Sequence, residues 1–323
     1  MKVLFLLLCA LIGGGIASGK EVYVFFYRFG GVGLAFCLIC PFIMAWILCK
    51  LHAKCEKANI VSFQELNNRL FPKTNIVIYI IYNVCLAITC ATMLSGCQSL
   101  FDGLYECTFP FESVVIALLT LVLLSKGINF IAKCSLPLSI LMVIFILLNC
   151  FINFPSVSIE NMCESSWTGI LFAGLFIASN FLLMVSLVLS IKIKRRKALF
   201  IAFAISIAII LTSIFIALAS NKIDASSEMP LLDLCQGSAI SVGFVISIFL
   251  AMLTTFITSL YALNNNMTII FKDEKLSAII CITVIYICSM LSFNSLVNYG
   301  FPAMGVLGAI FFIRTVIFSF GKK

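Results

Sequence analysis

The chain has 323 residues, of which 63% are hydrophobic and only 11% are charged, and its mean hydropathy is +1.19. Soluble domains carry about 25% charged residues, so this composition excludes a soluble globular protein and indicates an integral membrane protein. The net charge of +8 reflects basic residues in loops on one side of the membrane rather than a surface for nucleic acid.

Ten apolar runs are long enough, at about 20 residues, to cross a ~30 Å hydrocarbon core. The loops between them are short, so we expect one all-α polytopic transmembrane domain over 1-323. The fourth run is the shortest. The runs cover 3–27, 32–51, 74–97, 110–126, 128–152, 167–191, 198–220, 237–262, 276–293 and 298–320.

The basic residues predict the orientation of these spans. With the N-terminus inside, most of the 21 Lys and Arg residues fall in cytoplasmic segments, and the acidic residues cluster outside. This asymmetry follows the positive-inside rule. We therefore expect an integral protein of a bacterial cytoplasmic membrane, with both its N- and C-termini cytoplasmic.

The first run also has features of a signal peptide, because Lys2 precedes an apolar stretch and small residues follow at Ala17-Ser18. Apolar character resumes at Val22, however, and removal of the segment would leave an odd number of spans. We therefore interpret the first run as a span.

Glycines interrupt that first span. Gly13, Gly14, Gly15 and Gly19 fall within seven residues, and Lys20 and Glu21 follow them. A helix in hydrocarbon bonds its own backbone groups, so a break leaves polar groups for an ion or a ligand, and glycine lowers the cost of a break. The alternative is close helix packing, because Gly15 and Gly19 form a G-x-x-x-G pattern.

A partial echo of this segment occurs in the sixth run, at Phe176-Ile177-Ala178-Ser179-Asn180. Paired interrupted helices at matching places in two halves of a chain are typical of the binding site of a secondary transporter. We therefore expect the first and sixth helices to be broken, with Asn180 in an interhelical hydrogen bond as the alternative. The predicted substrate-binding residues are Gly13, Gly14, Gly15, Ser18, Gly19, Ser179 and Asn180.

Two further groups predict an ion site. Thr254 and Thr255 offer hydroxyls on the eighth run, which together with the carbonyls of Ile16 and Ala17 would suit sodium; the alternative is that the hydroxyls bond back to their own helix. Glu21 is a candidate coupling carboxylate, with Lys20 offsetting its charge. The alternative there is that both are solvated at the outer mouth.

Little else in the sequence carries chemistry. Most of the 15 cysteines lie inside spans, where a thiol behaves as a small apolar group. Cys97, Cys107, Cys163 and Cys235 could pair near the outer face, and the sequence leaves their connectivity open.

The lone His52 has no CxxC partner, so we expect no metal site. We expect no cofactor besides sodium or protons as coupling ions, and no enzyme activity, since no nucleophile–base set or phosphate loop occurs.

The first span, GGGIASGKEVYVFFYRFG followed by GVG, resembles the YkvI-like membrane proteins, in which a glycine-rich A-S-G-x-E segment precedes an F-F-x-x-F-G run. Met93 to Gly96, Leu253 to Thr255 and Tyr299 to Gly308 are similar to other helices of that group. The resemblance implies the amino acid–polyamine–organocation superfamily and a LeuT-type fold. It also implies two inverted five-helix repeats, about 1–152 and 166–320, with substrate at the broken helices and a cation between the first and eighth.

These observations together predict a secondary active transporter of a small polar solute, an amino acid or related amine, that works by alternating access with sodium or protons. The alternative is a non-transporting membrane sensor or receptor for a small ligand on the same fold. The expected partners are a small-molecule substrate and the lipid bilayer, and no nucleic acid. The oligomeric state is left open.

Overall fold

The computed structural model describes residues 2–102, 128–153, 165–191, 193, 195–219, 227–235 and 241–317, and over these ranges it is helical, without β-strands. A 3-10 turn lies at Tyr27–Phe29 and a π-helical turn at Leu296–Gly300. The α-helices are α1 (Lys2–Leu11), α2 (Gly14–Ala17), α3 (Lys20–Phe25), α4 (Gly30–Lys57), α5 (Phe63–Leu70), α6 (Asn75–Asp102), α7 (Ile128–Asn153), α8 (Gly169–Ser190), α9 (Arg196–Ala219), α10 (Pro230–Asp233), α11 (Ser241–Phe271), α12 (Glu274–Ser289), α13 (Phe293–Ser295) and α14 (Phe301–Ile317).

Six helical stretches within these residues are long and apolar enough to cross a membrane, which confirms the predicted membrane class. α7 and α12 add shorter apolar stretches. The predicted run 110–126 lies outside the described residues, so the count of ten spans stays a prediction. The six stretches are Lys20–Lys57, Asn75–Leu100, Gly169–Leu189, Arg196–Ala219, Ser241–Thr268 and Phe293–Ile317.

The first predicted span is interrupted twice, as its glycines indicate. α1 ends at Leu11, and Gly13 takes an extended conformation with φ −78° and ψ −176°. The four residues of α2 follow, and Gly19 then takes a left-handed conformation with φ 82°, which glycine adopts at no steric cost. The prediction of a broken first helix is confirmed.

The prediction of a broken sixth helix is wrong. α8 runs without interruption from Gly169 to Ser190 and includes the whole echo segment. The Ser179 hydroxyl and the Asn180 amide both donate to the Phe176 carbonyl at 3.1 Å. Because these polar groups are satisfied inside the helix and no glycine lies within the segment, nothing favours opening the backbone there.

Helix pairs separated by half the chain make the main packing contacts. α4 packs on α9, α6 on α11, and α8 on α14, while α1 packs on α7. Gly305 and Gly308 allow the close contact of α14 with α8, since a side chain at Gly308 would lie 2.4 Å from the Ala178 carbonyl oxygen. This packing places the broken first helix against α6 and α11.

The short helix α5 lies across the ends of α6 and α14. Ser62 caps it by accepting from the Glu65 backbone N–H at 3.2 Å, and the Glu65 carboxylate accepts from the Val61 N–H at 3.1 Å; this arrangement stabilises a helix start. Phe63 stacks on Tyr82 with ring centroids 3.7 Å apart. The cap and the ring contact therefore fix α5 against α6.

Candidate functional site

Side chains from α6 and α11 surround the backbone of α2. The Gly14 N–H donates to the Met93 sulfur at 3.3 Å, and a side chain at Gly14 would lie 2.2 Å from the Cγ of Met252. A side chain at Gly13 would lie 3.1 Å from the Thr255 hydroxyl oxygen. The glycines are therefore needed for close approach as well as for the break.

The two predicted cation-binding threonines differ in their hydrogen bonding. The Thr254 hydroxyl donates to the Ala251 carbonyl of its own helix at 3.0 Å. The Thr255 hydroxyl is buried and has no hydrogen-bond partner among the described residues. An unsatisfied buried polar group costs about 1–3 kcal/mol, so the Thr255 hydroxyl gains most from an ion, a water molecule or a solute.

The predicted carbonyl ligands are only partly available. The Ile16 carbonyl already accepts the Gly19 N–H at 3.0 Å, and the Gly13 and Gly14 carbonyls accept from Ala17 and Ser18 at 2.9 and 2.8 Å. Ile16 and Ala17 are fully buried. Any cation at this position would share those carbonyls with the backbone of α2.

A cavity of about 280 Å³ lies beneath the break, between α1, α5, α6, α8 and α11. Thr255 lines its deep end, and the exposed residues Val61 and Asn265 line its mouth. Among the described residues, no acidic or basic side chain lines it. The polar lining is uncharged and consists of Ser62, Gln64, Thr89, Ser186, Thr255, Thr258, Ser259, Tyr261, Asn265 and Asn266.

Asparagines form a polar network at the mouth. The Asn266 amide donates to the Asn83 side chain at 2.8 Å, and the Tyr79 hydroxyl donates to the Asn266 carbonyl at 3.1 Å. Sequence analysis missed these residues, together with Thr89. The available signal was the run of three asparagines, 264–266, within an otherwise apolar helix.

Lys20 and Glu21 are adjacent in the sequence, but their side chains contact different parts of the structure. Lys20 is fully buried and donates to the Ser227 carbonyl. Glu21 is 5% exposed, and its carboxyl lies against Gly15, where an added side chain would be 2.1 Å from Oε1. The Lys20 ammonium thus contacts the segment that begins at Ser227, the Glu21 carboxyl faces the break, and neither side chain is exposed to solvent.

The remaining predicted residues lie at two levels of the site. Ser18 is fully buried, and its hydroxyl donates to the Gly15 carbonyl at 3.1 Å. Ser179 and Asn180 lie one helical turn from Leu183, which lines the cavity, and on the same face of α8. The structure thus brings Gly13 to Thr255 and Gly15 to Glu21, and it places Ser179 and Asn180 just beyond the deep end of the cavity.

The segment 227–235 covers the opposite end of the break. Leu231 is fully buried over Gly19, where an added side chain would lie 2.7 Å from its Cγ. The Leu231 N–H donates to the Ser18 carbonyl at 2.9 Å, and its own carbonyl accepts the Asn149 amide at 3.0 Å. Among the described residues, the site is therefore open from the α5 side and covered by Leu231 on the other.

The described residues contain no group of three or more His, Cys, Asp or Glu side chains placed to hold a metal ion. His52 is buried, with Nε2 3.0 Å from the Ile191 carbonyl. Cys97 and Cys235 are buried, whereas Cys107 and Cys163 lie outside the described residues.

No protein-family model matches the chain. It is 24% identical over 327 residues to the uncharacterized membrane protein YkvI of Bacillus subtilis (strain 168), a similarity that covers 96% of this chain and 93% of that one. A manganese transporter of Eremococcus coleocola is similar in structure, with a TM-score of 0.63, 15% identity and coverage of 97% of this chain and 77% of that chain.

Mhp1, a nucleobase-cation-symport-1 family transporter solved in a closed conformation with bromovinylhydantoin bound, has a TM-score of 0.62 and 14% identity, covering 99% of this chain and 79% of that chain. The chain has the fold of these transporters. Its similarity to YkvI extends along almost the whole length of both proteins.

Proposed function

We propose that the protein is a secondary transporter that carries a small polar solute across the membrane by alternating access. The observation that carries this proposal is the one-sided cavity that ends at a broken helix. Solute would enter past Val61 and Asn265, reach Thr255 and Gly13, and be held from the other side by the segment around Leu231. The neighbours in structure, which are transporters, support the same function.

The lining of the cavity favours an organic solute over a divalent cation. Carboxylates are among the ligands that suit manganese, and the described lining has none: it offers amides, hydroxyls and apolar groups. Hydroxyl and amide side chains donate and accept hydrogen bonds and can therefore bind both ends of a zwitterion. An amino acid or a related amine fits this chemistry, and the Glu21 carboxyl beside Gly15 is a hydrogen-bonding group close to the break.

Two coupling ions are compatible with the geometry. A sodium ion would use the Thr255 hydroxyl next to Gly13, because hydroxyl and carbonyl oxygens suit a hard cation. A proton would use Glu21, because a buried carboxyl is strongly disfavoured in its ionised form. Coupling to sodium would therefore require Thr255, and coupling to protons would require Glu21.

Two inverted five-helix repeats, about 1–152 and 166–320, would explain the pattern of packing. Under that division, the second span packs on the seventh and the third on the eighth, so each pairs with its own counterpart. The pairing of α1 with α7 corresponds to the pairing of α8 with α14. This division supports transport because such repeats exchange conformations around a central site.

Counterflow in proteoliposomes tests the proposal. Vesicles are loaded with one unlabelled amino acid or amine at a time, and uptake of the labelled compound is followed in sodium, in potassium and with a pH gradient. We expect transient accumulation for at least one solute. Solutes that raise the melting temperature without any counterflow would contradict transport and would favour a sensor or receptor on this fold.

A further inference from the structure

A second, larger cavity lies away from the candidate transport site, on the membrane-facing side of the α4–α9 pair. It has a volume of about 640 Å³, and its walls are apolar: Phe42, Ile43 and Trp46 from α4, and Phe200 and Ile201 from α9. Ala45 and Ala204 are buried and form its floor. We call this cavity the α4–α9 groove.

Two lysines close one end of the groove. Lys50 and Lys197 both line it, and both are exposed. The Lys50 ammonium lies 3.6 Å from the centroid of the Trp46 ring, a distance that gives a favourable cation–π contact. The acidic residue nearest to them along the two helices, Glu56, is paired with Arg196. That end of the groove is therefore positively charged.

The other surfaces of the groove face hydrocarbon. Trp46 is 53% exposed and Ile201 is 57% exposed, so the groove opens sideways to the bilayer rather than into the helix bundle. Tryptophan is enriched at the membrane–water interface, which places the two lysines at the level of the lipid headgroups. A water-soluble solute would find no polar partner along this groove except at the lysine end.

We propose that the α4–α9 groove binds an anionic phospholipid. The phosphate would lie between the ammonium groups of Lys50 and Lys197, and an acyl chain would lie along Trp46 and Phe200 over the alanine floor. Basic pockets between transmembrane helices bind anionic headgroups in this way. A second copy of the chain fits less well, because docking would bury two ammonium groups without a counter-charge.

The two tryptophans of the chain allow a direct test. Trp46 lies in the groove, and Trp167 lies in an exposed turn before α8. The variant Trp167→Phe therefore reports on the groove alone. In phosphatidylcholine bilayers, dibrominated phosphatidylglycerol should quench Trp46 at a mole fraction at least about tenfold below that needed for dibrominated phosphatidylcholine, since each lysine favours an anionic lipid.

The double substitution Lys50→Gln and Lys197→Gln, made in the Trp167→Phe protein, should abolish this preference. The matched control is Lys73→Gln with Lys275→Gln, which removes the same charge from two exposed lysines outside the groove and should leave the preference intact. A protein with Trp46→Phe, in which only Trp167 reports, should show no preference. All four altered lysines are exposed, so we expect every variant to fold.

Three results would overturn the proposal. Equal quenching by the two brominated lipids would make the groove an ordinary lipid contact. If the control double variant lost the preference for the anionic lipid as fully as the groove variant, the preference would be a general effect of the protein's charge. Protection of Trp46 from both lipids at high protein density, relieved on dilution into more lipid, would show that a second copy occupies the groove. None of these results depends on whether the protein transports a solute.

Discussion

The buried hydroxyl of Thr255 lies against Gly13 at the point where the first helix breaks. A side chain at Gly13 would approach that oxygen to 3.1 Å, and the hydroxyl has no hydrogen-bond partner among the described residues. The break between α1 and α2 therefore faces an unsatisfied hydroxyl on α11. An ion or solute gains from binding at such a place, because the Thr255 hydroxyl is left unpaired without it.

Replacing Thr255 with valine tests this relationship. Valine keeps the shape and removes the hydroxyl, so we expect the melting temperature without ligand to stay the same or rise slightly, since no hydrogen bond is lost. If sodium binds here, the rise in melting temperature on exchanging potassium for sodium should disappear. Thr254→Val is the control: it loses a bond to Ala251, should destabilise by about 1 kcal/mol, and should keep the sodium effect. An unchanged sodium effect in Thr255→Val would remove this residue from the site.

Replacing Gly15 with alanine tests the position of Glu21. The new methyl group would overlap the Glu21 carboxyl, which must then move, so we expect a stability loss of about 1–3 kcal/mol and a loss of counterflow. Gly174→Ala is the control, because no atom lies within 4 Å of the added methyl group; we expect it to be neutral or to stabilise by about 0.5–1 kcal/mol. Wild-type transport by Gly15→Ala would show that the Glu21–Gly15 contact is not required.

Replacing Glu21 with glutamine separates proton coupling from sodium coupling. The side chain keeps its shape and loses its ability to ionise, so transport that is driven by a proton gradient should stop, while exchange of solute without a gradient should continue. Glu56→Gln is the control, since that carboxylate is paired with Arg196 away from the cavity. Gradient-driven uptake that persists in Glu21→Gln would exclude Glu21 as the proton carrier.

Replacing Asn180 with leucine tests the deep end of the solute site. The amide donates only within its own helix in the described structure, so its removal should leave α8 intact. We expect the mutant to fold and to lose the solute-dependent rise in melting temperature. Ser179→Ala provides a milder comparison at the neighbouring position. Wild-type affinity in Asn180→Leu would remove this residue from the substrate site.

Particular residues show how far the sequence predicts this structure. The density of glycine from Gly13 to Gly19 predicts the break correctly because glycine tolerates both the close contact with Met252 and the left-handed backbone at Gly19. The same reasoning fails in α8, because Ser179 and Asn180 can satisfy themselves on the Phe176 carbonyl without opening the helix. Polar residues in a span therefore predict a break only when the backbone is also weakened.

Other features depend on contacts that no local pattern contains. Thr254 and Thr255 are adjacent and differ in direction by about 100° around the helix, so only one of them can face Gly13, and the packing of α11 decides which. The uncharged lining of the cavity comes from five separate helices. Thr89 is unremarkable within its own helix, and the asparagine run 264–266 marks a polar point of α11 without indicating which helices it faces.

Leu231 has a consequence for the balance between open and closed forms. Two hydrogen bonds at this one residue, to the Ser18 carbonyl and from the Asn149 amide, tie the covering segment to two different helices. At about 1 kcal/mol each, they would favour the closed form by roughly 30-fold if both must break together. A solute that binds the other form more than about 30-fold more tightly would make that form predominate at saturation, so the populations of the two forms should respond to the concentration of such a solute.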